Sequence, residues 1–224
     1  MSFALDYPFD GSPSPGDTWE VAPGVWWIRM PLPFKLNHIN LWLLADGEGW
    51  TLVDTGVLSE DVKACWAQIE ERFVTPKHPI KRLICTHYHP DHMGLAGWLC
   101  ERHNIEMTTT LDEWMSARLY FLETKESKAA QILPFFKLAG FSEEQMSLVV
   151  ARTSQYTSVA GMPPNSFIRV KDRDVIEIDG YGWEVLITEG HSSEQICLFC
   201  ANKNLLISAD QILPRITPNI SLQP

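Results

Sequence analysis

Three histidines and one aspartate lie within six residues, at His87, His89, Asp91 and His92, in the pattern H-x-H-x-D-H. Side chains alternate along a strand, so His87 and His89 would face one side and could share a metal ion. Pro90 suits the first residue of a helix, and the turn that follows would direct Asp91 and His92 towards a second ion. Imidazoles this close would repel one another if protonated. We therefore interpret the cluster as a metal site.

Four apolar runs of the sequence each end in a polar residue that can bind or support a metal. If the four runs are strands of one sheet, their ends lie along one edge, where ligand sites tend to form. Residues far apart in the sequence would then join the histidine cluster. The runs are Leu52-Val53 before Asp54, Leu83 to Thr86 before His87, Val185 to Thr188 before His191, and Leu205 to Ser208 before Asp210.

The apolar pattern predicts strands, then helices, then strands again. Short runs of aliphatic, aromatic and β-branched residues between turn signals favour strands. Apolar residues at three- and four-residue spacing after Ser59 predict a helix capped by that serine. The predicted strands are 25–30, 39–44, 50–53, 83–86, 175–178, 183–188, 196–200 and 205–208, and the predicted helices are 59–73 and 90–103.

Residues 111–150 have a different pattern, with bulky apolar residues at helical spacing. We expect two or three helices there, with breaks at Pro134 and Gly140. Such a helical insertion could form a lid over a site. Strands interrupted by helices in this order favour an α/β or α+β sandwich.

Composition limits the class of protein. The chain has 224 residues, of which 45% are hydrophobic and 21% charged, as in one soluble globular domain. We expect an irregular N-terminal arm at 1–17 and a single domain at 18–224. The net charge of −10 and the lack of Lys and Arg clusters argue against nucleic-acid binding. No apolar stretch approaches the ~20 residues that span a bilayer, so we expect no membrane partner.

The five cysteines form an odd set without a framework of paired spacings. Reduced thiols fit a cytoplasmic location. Cys197 and Cys200 form a C-x-x-C pattern, but they lie inside an apolar run without a second such pair. We expect them to be core strand residues.

The four motifs together resemble those of the metallo-β-lactamase-fold superfamily of hydrolases. The resemblance spans roughly residues 20 to 215 and is most specific at the histidine cluster. It implies an α+β fold, an αββα sandwich, with a helical insertion around residues 111–150. It is nearest to an uncharacterised bacterial branch near glyoxalase II and other thioester hydrolases. The motifs, in order, are L-V-D-T-G (52–56), T-H-Y-H-P-D-H-M-G (86–94), T-E-G-H-S (188–192) and S-A-D (208–210).

The resemblance also implies a set of ligands for two divalent metal ions. Asp210 would bridge both ions, and Asp91 would also act in catalysis by orienting a bridging hydroxide. Asp54 suits a hydrogen-bond acceptor for a ligand histidine better than a ligand. Imidazole and carboxylate ligands without thiolate suit zinc best, with iron or manganese as alternatives. The implied ligands are His87, His89 and His191 for the first ion, and Asp91, His92 and Asp210 for the second.

One departure from the family pattern concerns the C-terminal end. Members with a complete two-metal site usually draw a further histidine from a segment after the position of Asp210, and this sequence has none. Either the domain is truncated at its C-terminus, which we favour, or the second metal is weakly held, with water in place of the missing ligand.

These features predict a metal-dependent hydrolase. Two ions ~3.5–4 Å apart can generate hydroxide near neutral pH and polarise the attacked bond, and no G-x-S-x-G motif suggests a serine nucleophile. We expect a small-molecule substrate with an ester, thioester or related bond, and leave a homodimer open. Two alternatives are an iron-dependent oxidoreductase of the sulfur dioxygenase kind on the same fold and a non-catalytic metabolite-binding protein.

Overall fold

The structure is a computed structural model that describes residues 5–152 and 155–220. Residues 1–4 of the predicted arm and 221–224 of the predicted C-terminal segment lie outside it. The strands are β1 Thr18–Ala22, β2 Val25–Pro31, β3 His38–Ala45, β4 Trp50–Val53, β5 Ile80–Ile84, β6 Met107–Thr109, β7 Ile168–Arg169, β8 Val175–Ile178, β9 Tyr181–Thr188, β10 Gln195–Cys200 and β11 Leu205–Ile207. The helices are α1 Glu60–Phe73, α2 Pro90–Met93, α3 Ala96–His103, α4 Leu111–Leu122, α5 Lys125–Leu138, α6 Glu143–Arg152 and α7 Gln155–Val159.

The strands form two sheets that pack face to face, which confirms the predicted α+β sandwich. The larger sheet holds β1 to β7 in sequence order, antiparallel as far as β4 and parallel from β4 to β7. The smaller sheet has the antiparallel order β11-β10-β9-β8. Parallel strands end at the same edge, so the carboxyl ends of β4, β5 and β6 lie together.

Both faces of the larger sheet are buried, and alternate side chains serve the two faces. Leu52 and Leu83 belong to the core that includes residues of α1, α3 and α4. Their neighbours Val53 and Ile84 belong to the core between the two sheets. Burial of one side chain of this size stabilises the fold by about 1.5–3 kcal/mol. Packing on both faces therefore holds β4 and β5 in place, and with them the loops that follow.

The expectation that the four polar-ended strands share one sheet is wrong. β4 and β5 lie in the larger sheet, whereas β9 and β11 lie in the smaller one. The sequence shows where a strand ends but not which strand it pairs with. The strand ends meet nonetheless, because the Ile196 N–H at the start of β10 donates to the Thr86 carbonyl at 2.9 Å.

The helix predicted at 90–103 is two helices, α2 and α3, separated at Gly94 and Leu95. A Cβ atom on Gly94 would lie 2.1 Å from the Pro90 carbonyl oxygen and 2.9 Å from that of Val159. The Gly161 N–H also donates to the Gly94 carbonyl at 2.8 Å. This close approach of another chain segment ends α2 after one turn.

The helical insertion consists of α4 to α7 and extends beyond the predicted 111–150. Pro134 does not break a helix but lies inside α5. A break does occur at Gly140, whose φ of +83° favours glycine. Ring contact between Phe136 and Phe141, with centroids 4.8 Å apart, folds the next segment back on α5.

Smaller differences concern short strands and strand bounds. The sequence did not predict β1, β6 and β7, which have five, three and two residues. β5 ends at Ile84 rather than Thr86, which leaves Thr86 and His87 in the loop. All five cysteines are buried and unpaired, and Cys197 and Cys200 lie in β10 as expected. No helix among the described residues is long and apolar enough to cross a bilayer.

Candidate metal centre

The loops after β4, β5, β9 and β11 meet at one edge of the sandwich and bring distant histidines and carboxylates together. Two overlapping groups of side chains offer ligand atoms that lie within 4.8 Å of one another. His87 belongs to both groups and is fully buried. The groups are His87, His89 and His191, and His87, His92 and Asp210.

In the first group, three imidazole nitrogens point at a common centre. His89 Nδ1 lies 3.0 Å from His87 Nε2 and 2.9 Å from His191 Nε2. A single proton on His89 Nδ1 can serve only one of these two contacts. Nitrogens bound at about 2.0–2.1 Å to a tetrahedral zinc ion lie about 3.3 Å apart, so the observed spacing suits a shared cation.

In the second group, His92 directs an unpaired nitrogen at two carboxylates. His92 Nε2 is buried and makes no hydrogen bond. It lies 3.4 Å from Asp210 Oδ1 and 3.7 Å from Asp91 Oδ2. Burial raises the pKa of Asp91, although the charge of His92 opposes this. A buried nitrogen without a partner costs free energy, and a cation between it and the carboxylates would remove that cost.

Asp210 faces both groups. Its Oδ1 lies 3.4 Å from His92 Nε2, and its Oδ2 lies 3.4 Å from His191 Nε2. One carboxylate oxygen is therefore available on each side.

Asp54 lies behind the second group, in the turn that follows β4. Its φ of +65° is left-handed, a conformation that Asp tolerates better than most residues. Its carboxylate accepts hydrogen bonds from the Thr86 N–H at 2.7 Å, the Thr86 hydroxyl at 2.9 Å and His92 Nδ1 at 2.8 Å. These bonds fix the His92 ring with Nε2 facing Asp210.

His191 is oriented in the same way by a backbone group. Its Nδ1 lies 2.9 Å from the Asn219 carbonyl oxygen, which can only accept, so Nδ1 carries the proton. The Nε2 atom of His191 then faces His89 Nδ1 at 2.9 Å. The C-terminal loop at 217–220 thus helps to set the first group.

The electrostatics keep two of the histidines available as ligands. Burial, with the neighbouring imidazoles, lowers the pKa of His87 and lowers the pKa of His89 to about 3. Burial also lowers the pKa of His92, but Asp54 and Asp91 outweigh it and the net pKa is well above the ordinary value. Neutral His87 and His89 have lone pairs free for a cation at neutral pH.

Sequence reasoning missed Glu113, the third residue of α4. It is fully buried, and its carboxylate accepts the N–H groups of Tyr88 at 2.8 Å and Glu194 at 2.7 Å. Burial raises its pKa, and the Glu194 N–H, the Ser192 hydroxyl and the Tyr88 N–H oppose the shift. Thr110 and Glu113 match the T-x-x-E capping box, which marks a helix start but gives no sign of this tertiary role.

A cavity of about 300 Å³ opens beside the first group. It is lined mainly by polar residues of the two histidine loops, with the ring of Tyr88 4.6 Å from that of His89. A ligand there would lie against His89 and His191. The lining residues are Tyr88, His89, Glu189, Gly190, His191, Ser192, Ser193 and Asn219.

The donor set fits a divalent transition metal. Imidazole nitrogens and carboxylate oxygens suit zinc, iron or manganese. The converging nitrogens of the first group and the unpaired His92 Nε2 of the second are what a cation would satisfy. The residues present therefore fit a metal ion.

A family model described as "Metallo-beta-lactamase superfamily" matches residues 35–224. Among curated proteins, the probable metallo-hydrolase YqjP of Bacillus subtilis is 21% identical over 197 residues, which cover 88% of this chain and 59% of that protein.

Two solved structures share the fold. A beta-lactamase domain protein from Burkholderia ambifaria has a TM-score of 0.82 and 41% identity over 97% of this chain and 64% of its own. A metallo-beta-lactamase family protein from Thermus thermophilus has a TM-score of 0.77 and 23% identity over 91% of this chain and 64% of its own. The chain therefore spans about three fifths of the length of these relatives.

Proposed function

Because this chain belongs to the metallo-beta-lactamase superfamily, we propose that it is a metal-dependent hydrolase acting on an ester, thioester or related bond of a small molecule. The observation that carries the proposal is the convergence of three histidine nitrogens, with His89 Nδ1 at 3.0 and 2.9 Å from its two neighbours. The probable metallo-hydrolase of Bacillus subtilis supports the reaction class.

The proposed ligands are the first group for one ion and, for the other, His92 and Asp210 of the second group together with Asp91, which lies outside both groups but 3.7 Å from His92 Nε2. A bound divalent cation would polarise the oxygen of the attacked bond and make hydroxide available near neutral pH. We favour two ions, because one Asp210 oxygen lies near His92 and the other near His191. We favour zinc, because the ligands are imidazoles and carboxylates. His87, His89 and His191 would hold the first ion, and His92, Asp91 and Asp210 the second.

The chain's own residues have separate tasks in this proposal. Asp54 accepts a hydrogen bond from His92 Nδ1, so that Nε2 faces the site. The Asn219 carbonyl does the same for His191. Asp91 accepts a hydrogen bond from the attacking water and orients it towards the substrate.

The cavity supports a small, acyl-type substrate. Its volume of about 300 Å³ is at the lower end for small-molecule sites. The lining includes one carboxylate, that of Glu189, and neither Lys nor Arg among the described residues that form it. A phosphate group would therefore find no basic side chain there, so we favour an acyl ester or thioester over a phosphodiester.

The test is a substrate screen coupled to metal analysis. Protein purified without added metal is analysed for bound elements and assayed on acyl thioesters, esters, lactones and phosphodiesters, before and after chelation and after metal is returned. We expect hydrolysis of an acyl substrate that chelation abolishes and zinc restores. Bound iron with oxygen consumption would favour an oxidoreductase, and hydrolysis that survives chelation would contradict the proposal.

A further inference from the structure

The start of α4 connects the two loops that carry the histidines of the first group. Resting on the metal site of the proposed function, we propose that Glu113 is a positioning residue, whose carboxylate holds the His87–His89 loop and the His191 loop at the spacing that a shared metal ion requires. The hydrogen bonds to its two carboxylate oxygens come from backbone groups beside the ligands and not from a ligand side chain. Glu113 acts through backbone N–H groups.

The two contacts of Glu113 reach both loops at once. Oε2 accepts from the N–H of Tyr88, which lies between His87 and His89 in the sequence. Oε1 accepts from the N–H of Glu194, three residues after His191. One rigid carboxylate thus spans from one loop to the other.

Neighbouring groups of α4 strengthen the connection to the His191 loop. The Thr110 hydroxyl donates to the Glu194 carbonyl at 3.1 Å, and the Asp112 N–H donates to the Glu194 carboxylate at 3.2 Å. In a capping box, Thr110 and Glu113 would instead bond to the backbone of their own helix. Here Thr110 makes no such cap bond. Both side chains of the motif therefore form hydrogen bonds with the histidine loops instead of capping α4.

The chemistry of the position favours a carboxylate. Two N–H donors meet the side chain, and a carboxylate offers one acceptor oxygen to each. The amide of a glutamine has one oxygen, so its NH₂ group would face the second N–H. Because the site is fully buried, water cannot replace the lost hydrogen bond without movement of a loop.

The test compares Glu113→Gln with Asp112→Asn, which makes the same chemical change one residue earlier, at an exposed side chain. Metal-free protein is titrated with cobalt(II), and both the affinity and the visible absorption of the bound ion are recorded. Groups that orient metal ligands typically change affinity by about 10–100-fold when altered, and we expect a loss of that size in Glu113→Gln with a changed spectrum. Asp112→Asn should match the wild type.

Each other outcome has a defined meaning. Equal cobalt affinity and spectrum in Glu113→Gln and wild type, even with a lower Tm, would overturn the positioning role and leave the proposed function standing. A wild-type protein that binds no cobalt would overturn both. If Glu113→Gln does not fold, Thr110→Val removes only the hydroxyl bond to Glu194; weaker cobalt binding is expected, and unchanged binding overturns the proposal.

Discussion

The edge of strand ends and the α5–α6 segment differ in how firmly they are held. His87 and His92 are 0% and 1% exposed, and their surroundings are fixed by Asp54 and by Glu113 from two directions. In α5 and α6, by contrast, Leu138 is 90% exposed and Leu148 is 61% exposed. The difference indicates that the site depends on the sheets, on the first turn of α4 and on α7, whose Tyr156 hydroxyl donates to the Tyr88 carbonyl at 2.9 Å, and less on α5 and α6.

The largest expected effect comes from His89→Ala, which removes the nitrogen shared by both close contacts of the first group. Hydrolysis of the substrate found in the screen should fall to the level of the blank, because the first ion loses a ligand. The metal-free variant should keep its fold, since the loss relieves two close nitrogen contacts. Steady-state kinetics and thermal unfolding of the metal-free protein check both parts. Hydrolysis that persists in His89→Ala after chelation would show that the reaction takes place at another site.

Leu83→Ala tests the strand that delivers the histidine loop. Leu83 is fully buried in β5, so we expect a loss of about 2–5 kcal/mol in the free energy of unfolding, from lost burial and the cavity left behind. Chemical denaturation measures it. A loss well below this range would mean that β5 is no better packed than the α5–α6 segment.

Asp54→Asn tests the support behind His92. The amide offers one acceptor where three donors meet, so metal affinity at the second group should fall by about 10–100-fold. Asp46→Asn is the matched control, because Asp46 is also a buried carboxylate that accepts a hydroxyl bond, from Thr51, but lies outside both groups. Zinc titration against a competing chromophoric chelator compares the two. Equal zinc affinities in the two variants would show that Asp54 does not support the second group.

The smallest expected effect is that of Leu138→Ala. This side chain is 90% exposed at the end of α5, so the free energy of unfolding should change by no more than about 0.5 kcal/mol. Metal affinity should be that of the wild type. Chemical denaturation and zinc titration are carried out on this variant and on Leu83→Ala. A large loss in the free energy of unfolding of Leu138→Ala would show that α5 packs on a surface in solution.

The sequence was most informative where chemistry and period coincide. The ring nitrogens of His87 and His89 lie 3.0 Å apart, as the H-x-H pattern predicted, although both residues lie in the loop after β5 and not on a strand. The bounds of β4 were predicted correctly, because turn signals enclose a short apolar run. Local patterns of this kind depend on neighbouring residues only, which is why sequence reasoning could use them.

The sequence was least informative where distant residues decide. The pairing of β9 with β10 in a second sheet depends on tertiary contacts that no local pattern records. Glu113 has the signature of a helix start, yet its burial arises only when two loops from other parts of the chain close over it. Pro134 was expected to end a helix, but the loss of one backbone hydrogen bond does not stop α5 from continuing to Leu138.

Metal binding by the loops at the strand ends, through the three histidines of the first group, is the proposal on which the assigned function depends. It is tested most directly by calorimetric titration of zinc into chelator-stripped wild type, His89→Ala and His78→Ala, the last being an exposed histidine outside both groups. We predict tight binding in the wild type and in His78→Ala, and its loss in His89→Ala. A wild type that takes up no zinc, iron or manganese would contradict metal binding at this site. A His89→Ala variant that binds zinc as the wild type does would contradict binding through the first group.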